Sequence, residues 1–417
     1  MAVELLSPAG NMEKLRAALC FGADAVYLAG KNFGMRSAAD NFTDEELSEA
    51  VALAHVLGKK IYLTVNTMPH GDEYAQLRAY LSGLRGVGID AIILTDLGVL
   101  ATVRELLPEM EIHISTQSSI VSPEAAKAWA ALGAKRLVLA RELSLSEVRA
   151  IREALPPDVE LEAFIHGSMC VSYSGRCMLS NHFTGRDANR GASTQPCRWN
   201  YTIVEEKRPD ERLPVIENEN GTFIMSSKDM CMLRHVPELI EAGVTSFKIE
   251  GRMKSAYYTA VITNAYRMAI DAYQRDPDGY AFDEKWYREV ESVSHREYCT
   301  GYWFDDPREN PQLCREAGYI REKAYFAAAT EQDALPEGLV RQNDEGTLCR
   351  FRQRNKVSLG DRAELLTPGK VGIPSVITEL YDEEGAPIES APHPLMIFYT
   401  RLPHAAAEGD ILRAGDA

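Results

Sequence analysis

The segment EAFIHGSMCVSYSGRCMLS, Glu162 to Ser180, places two thiols, Cys170 and Cys177, just after a strand-like run that contains His166. Cys197 and Cys231 follow in the same irregular stretch, while Cys20, Cys299, Cys314 and Cys349 are scattered elsewhere. Four thiolates converging from loops can hold zinc or an iron–sulfur cluster. Structural zinc draws on tight Cys-x-x-Cys pairs, and none occurs here. Gaps of six, nineteen and thirty-three intervening residues suit a cluster held by separate loops better. A second chemistry is a thiol nucleophile, Cys170 or Cys177, activated by His166; it gives the other clustered cysteines no role. The plain alternative is four inert buried thiols, since free cysteine is among the most buried residue types.

Charge around these thiols adds a second clue. From Ser168 to Asn200 four arginines, Arg176, Arg186, Arg190 and Arg198, face one acid, Asp187, in a chain whose net charge is −16. FKIEGRMK adds Lys248, Arg252 and Lys254 against Glu250. Together they predict a cationic mouth suited to phosphates or a small polycarboxylate on an otherwise acidic body. Trp199 and Tyr201 beside Arg198 offer a stacking surface for a base. The competing view pairs each arginine with a nearby surface acid.

These residues need a scaffold, and the periodicity supplies one. ELLSPAG, AVYLAG, KIYLTVN, AIILTD, EIHISTQ, RLVLARE, LEAFIHG and SFKIEGR read as short buried strands. Amphipathic stretches such as NMEKLRAALCFGA, DEELSEAVALAHVLG, DEYAQLRAYLSGLRGVG and SPEAAKAWAALGA lie between them, each closing near a glycine. Eight β-then-α units predict an α/β fold, a (β/α)8 TIM-like barrel, with a doubly wound open sheet as the alternative. In such a barrel the C-terminal strand ends form the active face. Here they carry Ser7, Asn66, Asp96, Ser115, Gln117, Arg141, His166, Lys248, Glu250 and Arg252. Ser7 and Asp96 could equally be helix caps. The rhythm fails between the seventh and eighth strands, an insertion at about 168–245 that holds all four clustered cysteines. The expected domains are therefore the barrel at 1–275, a helical linker at 276–317 and a strand-rich, turn-rich C-terminal β-barrel domain at 318–417.

Composition excludes other classes. With 45% hydrophobic and 25% charged residues over 417 positions, the chain is an ordinary globular sequence. No run approaches the roughly 18 apolar residues of a membrane helix, and MAVELLSPAGNMEKLR lacks the basic start of a signal peptide. A cytoplasmic protein without membrane association is expected. The strong negative charge disfavours broad adhesion to nucleic acid without excluding a local basic patch.

The Glu162–Ser180 segment resembles the signature of the family historically called peptidase U32. Glu162, Phe164, Gly167, Ser168, Met169, Cys170, Gly175, Cys177, Leu179 and Ser180 fall on its core positions. LLSPAGNMEKLRAAL, SSKDMCML and FKIEGRMKS are similar to the family as well, so the likeness covers most of residues 1 to about 275. Despite the name, it implies a hydroxylation enzyme. It also implies a 4Fe-4S cluster on Cys170, Cys177, Cys197 and Cys231, with prephenate as cosubstrate. Chain length resembles the branch that forms 5-hydroxyuridine at the wobble position of tRNA. Alternatives are a hydroxylase of ribosomal RNA or of a small molecule, or a U32-type peptidase or collagenase. On this basis His166, Lys248, Glu250 and Arg252 are candidate catalytic residues, and Arg141, Arg198, Trp199 and Lys254 candidate substrate-binding ones. The partners implied are tRNA and a small dicarboxylate, with homo- or hetero-oligomerisation left open.

Overall fold

In the computed structural model, residues 3–36, 40–170, 172–188, 191–199, 216–218, 221–223, 227–304, 319–321 and 323–416 are described. The first seven strands are β1 (Glu4–Pro8), β2 (Ala25–Leu28), β3 (Lys60–Val65), β4 (Ala91–Leu94), β5 (Glu111–Ile114), β6 (Arg136–Val138) and β7 (Glu160–Ser168). Each pairs in parallel with the next. An insertion follows, with a hairpin of β8 (Ile216–Asn218) and β9 (Gly221–Phe223), then β10 (Asp229–Cys231). The eighth barrel strand, β11 (Ser246–Ile249), pairs in parallel with both β7 and β1. That double pairing closes the sheet, which periodicity could not decide, and the eight predicted strands are the eight barrel strands.

The helices α1 (Met12–Cys20), α2 (Asp44–Val56), α3 (Tyr74–Gly83), α4 (Leu97–Leu106), α5 (Pro123–Ala131) and α6 (Leu145–Ala154) alternate with the strands. Their starts follow from side chains that satisfy the first free amides. Thr43 and Glu46 form a capping box on α2, Ser144 and Glu147 another on α6, and Asp96 accepts from Gly98 and Val99 at α4. Asp96 is thus a cap, whereas Ser7 bonds the Thr263 hydroxyl at 2.8 Å. Leu6, Ala25, Tyr27, Tyr62, Ala91 and Ile93 fill the barrel, and a larger apolar layer lies between strands and helices. Charge is also buried inside: Arg136 bridges Glu4, Glu160 and Glu162, and Lys248 reaches Glu162 at 2.6 Å.

Two features depart from a plain barrel. Strand β7 runs nine residues, and its last three pair antiparallel with β10: His166 with Cys231, Gly167 with Met230, Ser168 with Asp229. Within the segment predicted as a helical linker, α10 (Glu284–Glu291) packs on α9 (Ala256–Arg275), and β12 (Tyr298–Cys299) adds to β10 as a further strand. Two short helices, α7 (Leu179–Thr184) and α8 (Val236–Glu241), lie inside the insertion. Residues 305–318 lie outside the described part.

The C-terminal domain is an antiparallel half-barrel. Its main strands are Tyr325–Ala329, Gly346–Gln353, Arg362–Leu366, Ile373–Val376, Ile397–Leu402 and Ile411–Ala414. They close over Phe351, Phe398, Leu365 and Leu412. It docks on α9 and α10. The side chain of Arg413, 1% exposed, bonds Glu289 and Glu364 at 2.7 Å each, and Asn264 bonds the Lys370 carbonyl and the Gly369 amide.

Candidate active site at the barrel mouth

At the C-terminal end of the barrel Glu250 is surrounded by cations. Arg141 lies 3.5 Å from its carboxylate and Arg36 4.0 Å away. Burial would raise the Glu250 carboxyl, but Arg36, Arg141, Arg252 and Lys248 hold it below its ordinary value. Arg252 is buried and donates to the Met35 carbonyl; burial brings its guanidinium down to about 10, with Tyr27 and Glu250 opposing that fall and Arg36 adding to it. Arg141 stacks 3.8 Å over the Phe164 ring and donates to the Ser168 carbonyl at 2.7 Å. Three arginines against one carboxylate leave the mouth net positive, an arrangement that takes up an anion with planar, forked donors. Beside it the Asn66 amide donates to Gln117 Oε1 at 2.7 Å, while the buried Gln117 Nε2 has no partner among the described residues.

The cysteine-bearing loop covers this mouth. Gly175 has φ +73°, and a Cβ there would lie 2.3 Å from the Gln117 carbonyl, so only glycine lets the loop sit so close. Ser174 donates to Glu142 through its amide and hydroxyl, and the Ser119 hydroxyl donates to the Ser174 carbonyl. At the neighbouring turn Gly167 has φ +105°, and a Cβ would lie 2.4 Å from the Glu250 carbonyl. Gly167 therefore lets the end of β7 press against the residue that anchors the arginines.

The structure divides the sequence candidates into three groups. Arg141, Glu250 and Arg252 meet at the mouth. Arg36, which the sequence reasoning missed, joins them from the loop after β2; the glycine-rich GKNFGMRS that carries it was the available signal. Lys248 lies within the barrel, bonded to Glu162, with the Tyr27 and Phe164 rings at 4.5 and 5.4 Å. It helps form the floor of the site.

His166 and Lys254 are elsewhere. His166 is 1% exposed and packs against Tyr258 and Tyr266 of α9 and against Tyr298. Its ring nitrogens lie 3.4 Å from the Tyr266 and Tyr298 hydroxyls, which occupy the positions a thiol partner would need. Burial lowers its pKa to about 3, with Asp229 opposing and His295 and Lys254 adding, so the imidazole is neutral. Lys254 donates to the Ser294 carbonyl at 3.1 Å and lies over the Tyr258 and Tyr319 rings. Trp199 is exposed on the insertion, its indole donating to the Thr194 carbonyl. The Arg198 side chain, Arg190 and Tyr201 lie outside the described part.

The four candidate ligands differ in burial. Cys170 is exposed, Cys177 and Cys197 are half-buried, and Cys231 is buried. Burial pushes the Cys231 thiol up to about 12. The chemistry of this donor set fits an iron–sulfur cluster. Among the described residues no three His, Cys, Asp or Glu side chains stand together as a metal-holding group, so the donor set rests on residue chemistry. Cys299, which the sequence reasoning set aside, lies on the strand paired with the one that carries Cys231.

The family model of peptidase family U32 matches residues 10–312, and that of the peptidase family U32 C-terminal domain matches residues 337–413. The chain belongs to peptidase family U32. It is 38% identical to tRNA hydroxylation protein P1 of Bacillus subtilis over 99% of this chain and 94% of that one. It is 36% identical to tRNA hydroxylation protein P of Escherichia coli over 88% of this chain and 86% of that one. A third relative, the 23S rRNA 5-hydroxycytidine C2501 synthase of Escherichia coli, is 43% identical over 65% of this chain and 39% of that protein. Among the described residues no helix is long and apolar enough to cross a membrane.

Proposed function

We infer that this U32 protein is an RNA-modifying enzyme that hydroxylates tRNA, forming 5-hydroxyuridine at the wobble position. The observation that carries this reading is the Glu250-centred arginine cluster at a barrel mouth, in a chain similar over nearly its whole length to tRNA hydroxylation proteins. The mouth presents forked cationic donors where a small dicarboxylate would bind, and we assign prephenate to it as cosubstrate. Arg141 and Arg252 would hold the carboxylates, while Glu250 fixes the guanidinium planes. Gln117 Nε2 is a spare donor for a ligand carbonyl or hydroxyl. The loop anchored by Ser174 and Gly175 would exclude water above the bound pair.

Cys170, Cys177, Cys197 and Cys231 are the proposed ligands of a 4Fe-4S cluster, which when bound would supply one-electron transfer. Three of them belong to the insertion's loops, and the fourth is on the strand paired with the end of β7. Neither His166 nor Lys248 acts on substrate in this reading: one is buried against α9 and the other is bonded inside the barrel. The proposed setting is the cytoplasm, where tRNA and reduced thiols coexist.

The test is mass spectrometry of tRNA nucleosides from cells lacking the gene, complemented with wild type or Cys177→Ser. Restoration of 5-hydroxyuridine by wild type alone is the expected result. Unchanged tRNA in the deletion strain, with a hydroxylated nucleoside lost from ribosomal RNA instead, would overturn the substrate. Iron content and visible absorbance of anaerobically purified protein test the ligand set separately.

A further inference from the structure

One basic segment has no role in the site described so far. RFRQRNK, 350–356, carries Arg350, Arg352, Arg354 and Lys356 with no acid in a chain of net charge −16. It spans the end of the Gly346–Gln353 strand and the turn that follows. Alternation buries Phe351 and Gln353 and puts the arginines on the outer face. Arg350 is paired with Glu383. Arg352 and Lys356 are exposed and form no ion pair among the described residues. The turn is held rigidly: the Arg354 and Asn355 amides both donate to the Phe326 carbonyl, and the Asn355 side chain donates to the Tyr325 carbonyl.

Its position gives it meaning. Arg354 bonds Glu13 at 2.6 Å, in the first turn of α1. That helix starts just after the C-terminal end of β1, so the basic turn stands on the rim of the active face. The next residue along α1, Lys14, donates to the Arg252 carbonyl at 3.1 Å, one step from the arginine cluster. The insertion that covers the mouth exposes Arg176 and Arg186 together with Tyr173, Phe183 and Trp199, cations interleaved with stacking surfaces. A strand of polyanion crossing the mouth would meet stacking groups on the insertion and fixed cations at the C-terminal rim.

We propose that Arg352 and Lys356 of the C-terminal domain contact the phosphate backbone of the RNA whose base enters the barrel mouth. The proposal rests on the tRNA reading above and assigns the C-terminal domain its share in holding that substrate. Because each neutralised phosphate releases counterions, losing two contacts lowers the salt slope by about 1.4 to 1.8 and weakens binding about 30-fold at 0.1 M salt.

The experiment measures tRNA affinity of the full-length protein across a salt series, for wild type, Arg352→Gln/Lys356→Gln and the control Lys60→Gln. Lys60 is exposed at the opposite, N-terminal end of β3. A smaller slope and weaker binding in the double variant, with the control like wild type, is the expected result. A double variant that binds as wild type does, while wild type binds tRNA and restores 5-hydroxyuridine in cells, overturns the proposal and leaves the substrate standing. A wild type that shows no salt-dependent tRNA binding overturns both. An unchanged melting temperature in the double variant, whose altered side chains are exposed, shows that the fold is intact.

Discussion

Replacing Glu250 with glutamine keeps the shape of the side chain and removes the one carboxylate among three arginines. At an effective dielectric of about 20, Arg141 at 3.5 Å and Arg36 at 4.0 Å would each attract Glu250 by about 4 to 5 kcal/mol before desolvation. Taking the carboxylate from water opposes most of that gain, but truncating one partner leaves the arginines facing one another. Such a loss costs about 3 to 5 kcal/mol in a fully buried cluster. The Glu250 side chain is 18% exposed, which favours the lower end, about 3 kcal/mol. The assay is urea denaturation of both proteins from pH 7 to pH 3. The Glu250 carboxyl is held below its ordinary 4.5, so its contribution is present above that value and is lost as the pH falls through the folded one. The gap between wild type and Glu250→Gln should therefore narrow in acid. A gap under about 1 kcal/mol at pH 7, or one independent of pH, would refute the assignment of Glu250 as counterion of the cluster.

Gly175→Ala should abolish tRNA hydroxylation in complemented cells while shifting the melting temperature by only a few degrees, because the clash with Gln117 displaces the loop and not the barrel; full activity would show that the loop need not rest there. Arg413→Met leaves Glu289 without a cation in a buried interface and Glu364 with Lys323 alone, and should lower stability by about 3 kcal/mol in denaturant titration; a neutral effect would mean that water already reaches Glu289. His166 has a folded pKa of about 3 against an ordinary 6.5, so it favours the fold above 6.5 and this contribution falls away as the pH drops toward 3. His166→Gln should flatten that acid loss and leave the pH–rate profile between 6 and 8 unmoved; a shifted profile would return His166 to the chemistry.

The eight barrel strands and the four quoted helices were legible because buried strands and amphipathic helices each impose a period on the chain. Closure was not, since it depends on β11 meeting β1 across some 240 residues. That Arg141, Glu250 and Arg252 share one end of the barrel was legible because a barrel puts every strand end on one face. Arg36 could not be found this way, because it lies in a loop that carries no period. His166 lies away from the arginine cluster for a geometric reason. Strand β7 continues past the wall, its pairing with β11 shifts between Lys248 and Ile249, and His166 then faces α9. The segment after α9 was taken for a linker because nothing in two residues, Tyr298 and Cys299, marks them as a strand added to β10.

The electrostatics of the mouth limit what its side chains can do. A carboxylate held below its ordinary pKa by neighbouring arginines is a poor proton acceptor near neutrality, and a neutral histidine sealed among tyrosines reaches no substrate. The geometry places Glu250 to hold the guanidinium groups and His166 to pack against the tyrosines of α9. Hydroxylation of a pyrimidine carbon is a two-electron oxidation, and arginines, a glutamate and a glutamine can orient its reactants without accepting electrons. In the proposed reading the electron-accepting partner therefore enters from outside the arginine cluster, and the insertion's thiols would hold a cluster that supplies electron transfer. Arg141→Gln should accordingly lose affinity for a dicarboxylate while retaining iron, and Cys177→Ser should lose iron while retaining that affinity. A variant that lost both together would show that the anion site and the thiols form a single site, and the division of labour argued here would fail.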